Sequence, residues 1–258
     1  MKSWKVALGV AALLGAAGAV GQQQLSEAKI QEIVQKFAAK EAEFARAREV
    51  YTYRQSARLQ ELDEFGNVRG VWEMVSDIVF STEGKRTEVV AFAPVATLRT
   101  IILEPQDEQD LRNVMPFVLT TSELPKYWVR YLGMQNVDEI PCFVFAVKPK
   151  QMDAGQRYFQ GQIWVDDRDF QIVKSYGRGV GLLKKNSNSR YPKFETYREQ
   201  IDGKYWFPTY TRADDVLQFD QGPQRIRMTV RYEDYKQFKS ESQIKYGGAV
   251  ESKENKQP

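Results

Sequence analysis

The chain of 258 residues carries 37 Lys and Arg against 34 Asp and Glu, is 42% hydrophobic and 12% aromatic, and contains one Cys and no His. It is too apolar and aromatic to be a disordered chain, and long enough to bury a core without disulfides or structural metals. With no His and a lone Cys it lacks Ser-His-Asp and Cys-His nucleophilic machinery, His-ligated zinc or iron, and any disulfide within one chain.

Residues 1–21 read as a secretory leader. Lys2 and Lys5 form a positive start, residues 6–19 carry no charge, and Ala19-Val20-Gly21 places small residues before a cleavage point at Gln22. About 14 apolar residues rich in Ala and Gly are short for a membrane span of roughly 20. No Cys follows to accept a lipid, so the predicted mature protein is exported, soluble and not a lipoprotein. Cleavage removes two of the 37 basic side chains and no acid, which leaves a net charge of about +1. Nucleic-acid binding through bulk charge is thereby disfavoured. Cys142, between Pro141 and Phe143, reads as a small core residue rather than a reactive thiol.

The mature chain opens with a helical pattern from Leu25 to about Glu49. Ile30, Ile33, Val34, Phe37, Ala38 and Phe44 recur at the spacing of one helix face, with Ser26 as N-cap and Glu27 at the positive end of the dipole. Ser26 and Lys29 also form a Ser-x-x-Lys string, but the companion Ser-Asp-Asn and Lys-Thr-Gly motifs do not occur, and capping accounts for the serine.

After Val50 the period changes from 3.6 to 2. Tyr51, Tyr53, Ala57 and Leu59 share one face; Trp72, Met74, Ile78 and Phe80 share another beyond a turn at 64–67; residues 86–92 follow a turn at 83–85. Further strands are predicted at 97–103, 127–132, 142–148, 158–166, 170–176, 193–201, 206–213 and 225–238. A short helix starts at Pro105, and a second turn or helix lies at 121–125. Residues 177–192 read as a polar, basic loop, and those after Lys239 as a polar tail. In the last strand Ile226, Met228, Val230 and Tyr232 point one way and Arg225, Arg227, Arg231 and Glu233 the other, so one face of the sheet is wet.

About ten or eleven strands with no βαβ rhythm make one curved antiparallel sheet. At about 4.8 Å spacing ten strands are roughly 45 Å wide, against about 10 Å for the covering helix. The sheet therefore has to curl, into a half-barrel whose hollow either holds an apolar ligand or is filled by side chains.

Gly161-Gln162-Ile163-Trp164-Val165-Asp166, followed by Phe170-Gln171-Ile172-Val173-Lys174 and later Tyr205-Trp206-Phe207-Pro208, behind an N-terminal amphipathic helix, resembles the LolA-like superfamily. That group comprises periplasmic outer-membrane lipoprotein-sorting proteins and sensor domains related to RseB, and the likeness spans residues 28–238. The resemblance implies a mainly β fold, an unclosed half β-barrel covered by an N-terminal helix and short lid helices, as a single domain over residues 22–238. It implies a non-enzymatic carrier of lipid or lipoprotein acyl chains, with an inner-membrane release complex and an outer-membrane acceptor as partners and with no cofactor or metal. The competing reading is a sensor or structural β-domain that binds a protein partner.

A chain of roughly sixteen carbons has about 12 kcal/mol of gross attraction to an apolar host, so a carrier has to match the bilayer while still releasing its cargo. The candidate cavity lining is Trp72, Met74, Ile78, Phe80, Phe92, Leu98 and Ile102, with Ile33 and Phe37 from the helix. Arg178, Lys184, Lys185 and Arg190 are candidates for contact with anionic headgroups at a membrane surface. Among catalytic alternatives, Asp166, Asp167 and Asp169, or Asp214 and Asp215, offer paired carboxylates for a glycosidase or a hard cation. The run from Gly177 to Gly181 fits neither the dinucleotide fingerprint nor a P-loop.

Overall fold

The computed structural model describes residues 25–81, 85–182 and 192–238. The leader at 1–21, the tail from 239 and the loop positions Lys184, Lys185 and Arg190 lie outside the described residues. Helix α1 (Glu27–Arg48) leads into β1 (Tyr51–Leu62), β2 (Val68–Phe80) and β3 (Arg86–Ala96). Then come α2 (Pro105–Asn113), a 3-10 turn (Leu124–Lys126), β4 (Tyr127–Val137), β5 (Ile140–Pro149), β6 (Tyr158–Asp166) and β7 (Ile172–Val180). The chain closes with β8 (Lys193–Ile201), β9 (Tyr205–Phe219) and β10 (Gly222–Gln237).

The ten strands of the described residues form one antiparallel sheet in the order β3-β2-β1-β10-β9-β8-β7-β6-β5-β4. Strands consecutive in the chain are neighbours in space with one exception, β3 and β4, which stand at opposite edges, and β10 returns to pair with β1. The barrel is therefore not closed. The β3–β4 connection has to cross the width of the sheet, and it does so over the same apolar face that α1 covers. This topology, rather than any local propensity, makes residues 97–126 a lid.

Helix α1 forms as its pattern predicts. The Ser26 side chain accepts a hydrogen bond from the Lys29 amide, and Ile33, Val34, Phe37, Ala38, Phe44 and Ala47 are buried against the sheet. The alternation in β10 holds as well: Ile226, Met228, Val230 and Tyr232 are buried, and Arg225, Arg227 and Arg231 are in solvent. Between β8 and β9, Asp202 and Gly203 both take positive φ, 54° and 64°, which is the backbone that a tight Asp-Gly hairpin turn requires.

Two elements differ from the sequence expectation. Residues 97–103 form no strand: Thr97 still donates to the Val71 carbonyl of β2, but the Glu61 carboxylate at the end of β1 then takes the amides of Arg99, Thr100 and Ile101 out of any ladder. Residues 177–180, expected to be loop, extend β7, where Gly177 and Gly179 occupy buried positions on the inner face; a Cβ at Gly177 would collide with the Gln160 carbonyl and the Phe159 ring.

Candidate lid and cavity

The lid crosses the inner face on a short set of polar clamps. Glu61, fully buried, accepts three consecutive backbone N–H groups: Arg99 at 2.8 Å, Thr100 at 2.7 Å and Ile101 at 2.6 Å. Beyond α2, Thr196 donates to the Met115 carbonyl at 2.8 Å, and Arg198 donates to the Phe117 carbonyl. Arg48 donates to the Arg112 carbonyl at 2.7 Å. These contacts satisfy carbonyls that would otherwise be buried without partners at the end of the lid helix.

Arg198 is the hub. Its guanidinium meets Glu41 of α1 at 2.8 and 3.2 Å and stacks over the Phe44 ring at 4.7 Å, and both partners of the ion pair are buried. One side chain of β8 therefore ties together the helix, the lid and the sheet. A buried, bidentate pair of this kind fixes geometry more than it adds net stability.

At the other end of the lid, Asp110 of α2 reaches Arg157 at 3.2 Å. Burial pushes its carboxyl up to about 6, against the opposing pull of the Arg157 charge. Its second oxygen is buried with no hydrogen-bond partner among the described residues.

Between the lid and the sheet lies a cavity of about 80 Å³. Ile101, Leu103, Leu111 and Met115 form its roof, and Leu59, Trp72, Phe194, Leu217, Ile226 and Met228 its floor. Only Arg58, Asp107 and Asp110 among its lining residues carry charge. For scale, a dry cavity of about 150 Å³ admits one benzene. A long acyl chain can enter this one only if the lid lifts.

The structure places the nine candidate lining residues unequally. Trp72 and Ile102 line the cavity, and Ile102, 65% exposed, marks its mouth. Ile33, Phe37, Met74 and Ile78 are buried on the same face, in the core surrounding the cavity, with Leu98 packed at its margin. Phe80 stacks on Phe238 at 4.7 Å, away from the cavity, and Phe92 is 49% exposed on edge strand β3. Of the basic headgroup candidates the described residues include Arg178, which lies on the outer face of β7.

Four of the five candidate aspartates have structural partners, while the Asp167 Oδ1 is buried with no hydrogen-bond partner among the described residues. Asp166 accepts from the amides of Arg168 and Asp169, and Asp169 accepts from the Gln171 amide, all within the β6–β7 turn, and Asp169 also accepts from the Trp206 indole of β9. Asp214 pairs with Arg225 and Arg227, and Asp215 accepts the Lys193 amide. Among the described residues no cluster of acids, Cys and His is arranged to hold a metal ion. Cys142 is buried in a small apolar cluster with Val144, Trp164 and Val173 on the outer face, and burial pushes its thiol up to about 12.

Sequence reasoning passed over the two carboxylates that organise the lid, although both leave a signal. Glu41 sits in the apolar stripe of α1 between Ala38 and Phe44, and Glu61 falls in phase with Ala57 and Leu59 in β1. A charge in a core phase has to have a partner.

No protein-family model and no curated protein matches the chain. Among solved structures its fold is similar to a LolA superfamily protein from Nitrosomonas europaea, at 11% identity and a TM-score of 0.34, covering 78% of this chain and 94% of that one. It is also similar to a domain from Vibrio parahaemolyticus described as an outer membrane lipoprotein-sorting protein, at 11% identity and 0.37, covering 80% and 91%. MucB is a third, at 15% and 0.29, covering 81% and 94%. These are likenesses of overall fold, and no residue role is carried over from them.

Proposed function

We propose that this protein is a periplasmic carrier that shelters the acyl chain of a lipid or lipoprotein between its lid and the inner face of its half-barrel. The observation that supports this reading is the apolar cavity under a lid held by a few polar clamps. An apolar host of this shape gains about 0.8 kcal/mol for each methylene it buries. The clamps are separable from that gain, so cargo can leave when the lid lifts. Export rests on the leader sequence, and among the described residues no helix is long and apolar enough to cross a membrane. Delivery to an outer-membrane acceptor after collection from an inner-membrane complex is the route such a carrier would serve. The reading assigns no catalytic step to the chain.

The test is mass spectrometry of an organic extract of the purified mature protein, together with uptake of a fluorescent fatty acid. Trp72→Glu places a charge on the cavity floor and is expected to abolish uptake, while Phe92→Glu, on the exposed edge, leaves it unchanged. Absence of both co-purified lipid and uptake overturns the carrier reading.

A second reading, a sensor domain that binds a protein partner, is favoured by one feature. Edge strand β3 exposes Val89, Val90 and Phe92 beside an unpaired backbone edge, which is a template for an added strand.

A further inference from the structure

The outer face of the sheet is divided by charge. Over much of it ions are paired: Arg54 with Asp77, Arg225 and Arg227 with Asp214, and Lys174 and Arg212 with Glu195. Towards the open edge at β4, a group of cations from β4, β5, β7 and the start of β8 is not paired.

There the register builds two adjacent rows across the strands. Trp128 faces Lys148, and further along the row Gln160 faces Arg178, which faces Lys193. In the second row Arg130 faces Ala146, Ala146 faces Gln162, and Gln162 faces Tyr176. Together they line an open groove of about 750 Å³ with four cations and no acid. None of Arg130, Lys148, Arg178 and Lys193 makes an ion pair among the described residues. Lys150 adds a fifth positive charge, 5.0 Å above the Trp128 ring.

Two large amphipathic rings stand in the same groove, Trp128 at 59% exposure and Tyr176 at 43%. Unmatched cations select an anionic partner, and exposed Trp and Tyr beside them are the side chains that settle at the headgroup level of a bilayer. We propose that this groove is a docking site for an anionic phospholipid surface, with Trp128 and Tyr176 inserted among the headgroups and Arg130, Lys148, Arg178 and Lys193 on their phosphates. The site is on the opposite face of the sheet from the cavity and stands independently of the carrier reading. If that reading holds, docking brings the carrier to the membrane where its cargo is exchanged.

The test is co-sedimentation of the full mature chain with vesicles of phosphatidylcholine alone and with about 30% phosphatidylglycerol. Binding is expected only to the anionic vesicles and is reversed by ~0.5 M salt. Each cation near such a surface contributes roughly fivefold, so Arg130→Gln with Lys148→Gln should weaken binding about 25-fold. Trp128→Ala should weaken it further and remove quenching by brominated lipid. These positions are exposed, and unchanged thermal unfolding shows that the variants fold. Equal binding to neutral vesicles, or full binding by both variants, overturns the proposal. Failure to bind vesicles while polyglutamate binds overturns it in favour of an acidic polypeptide. Fatty-acid uptake from solution should be unchanged in all these variants, so loss of docking and loss of cargo binding are read separately.

Discussion

Replacing Glu61 with Gln tests whether the lid is held by one carboxylate. In the native protein one oxygen accepts the Thr100 and Ile101 amides and the other accepts the Arg99 amide. Glutamine keeps a carbonyl for the first two but turns an NH₂ group towards the third, and it removes the charge from all three. Hydrogen bonds to a charged acceptor contribute about 1.5–3 kcal/mol each, against 0.5–1.5 for neutral ones. Losing one bond and weakening two amounts to about 4–5 kcal/mol. Because the segment is half-exposed and its amides rehydrate once it lifts, about 2–3 kcal/mol of that should survive as easier lid opening. Opening free energy is read directly by native-state hydrogen exchange. The amides of residues 99–101 should exchange roughly 30- to 150-fold faster, at about tenfold per 1.36 kcal/mol, while those of β10 change little. Fatty-acid uptake should accelerate in parallel. Exchange at 99–101 within threefold of the native rate, or an equal increase throughout the sheet, would refute the idea that Glu61 is a local clamp.

Glu41→Leu or Arg198→Met alone should each destabilise the protein by about 3–5 kcal/mol, because each leaves a buried charge unmatched. The double variant should recover most of that loss, with a coupling of at least about 3 kcal/mol in urea unfolding, and additive losses would count against the pair. The Asp110 carboxyl is raised from its ordinary 3.8 to about 6 by burial, so the folded state binds its proton more tightly than the unfolded state does. Its contribution is most favourable below pH 4, declines as pH rises to 6, and is flat above. Relative to the native protein, Asp110→Asn should therefore gain stability on the order of 2–3 kcal/mol between pH 4 and pH 7, and parallel pH profiles would exclude this. In Gly177→Ala the new methyl would meet the Gln160 carbonyl oxygen at 2.3 Å and the Phe159 ring at 2.7 Å. Overpacking against backbone should cost about 2–3 kcal/mol and lower Tm by at least about 5 °C; a fall under about 2 °C would show that the strands part easily.

The sequence alone determined what its local periods encode. The switch from 3.6 to 2 after Val50 separated the helix from the sheet, and the Ile226–Tyr232 alternation showed that one face is wet, because side-chain direction follows directly from backbone geometry. The mismatch between the width of ten strands and that of one helix already required a curled sheet. Only the tertiary structure decided how the hollow is closed. Residues 97–103 are apolar enough to read as a strand, yet a buried carboxylate about forty positions earlier draws three of their amides out of any ladder. Helix α2 was legible from Pro105 and its acids, but its role as a lid follows from β3 and β4 standing at opposite edges of the sheet. Trp72 and Phe92 read alike in a strand pattern; one lies on the cavity floor and the other in solvent, because Phe92 stands opposite Val75 on the outer face, beside Arg54 and Glu73. The basic groove on the outer face was invisible in net charge, since Arg130, Lys148, Arg178 and Lys193 come from four strands. Local pattern records which way a side chain points, whereas the company it keeps depends on contacts between residues far apart in the chain, and those are set only when the sheet closes around the helix.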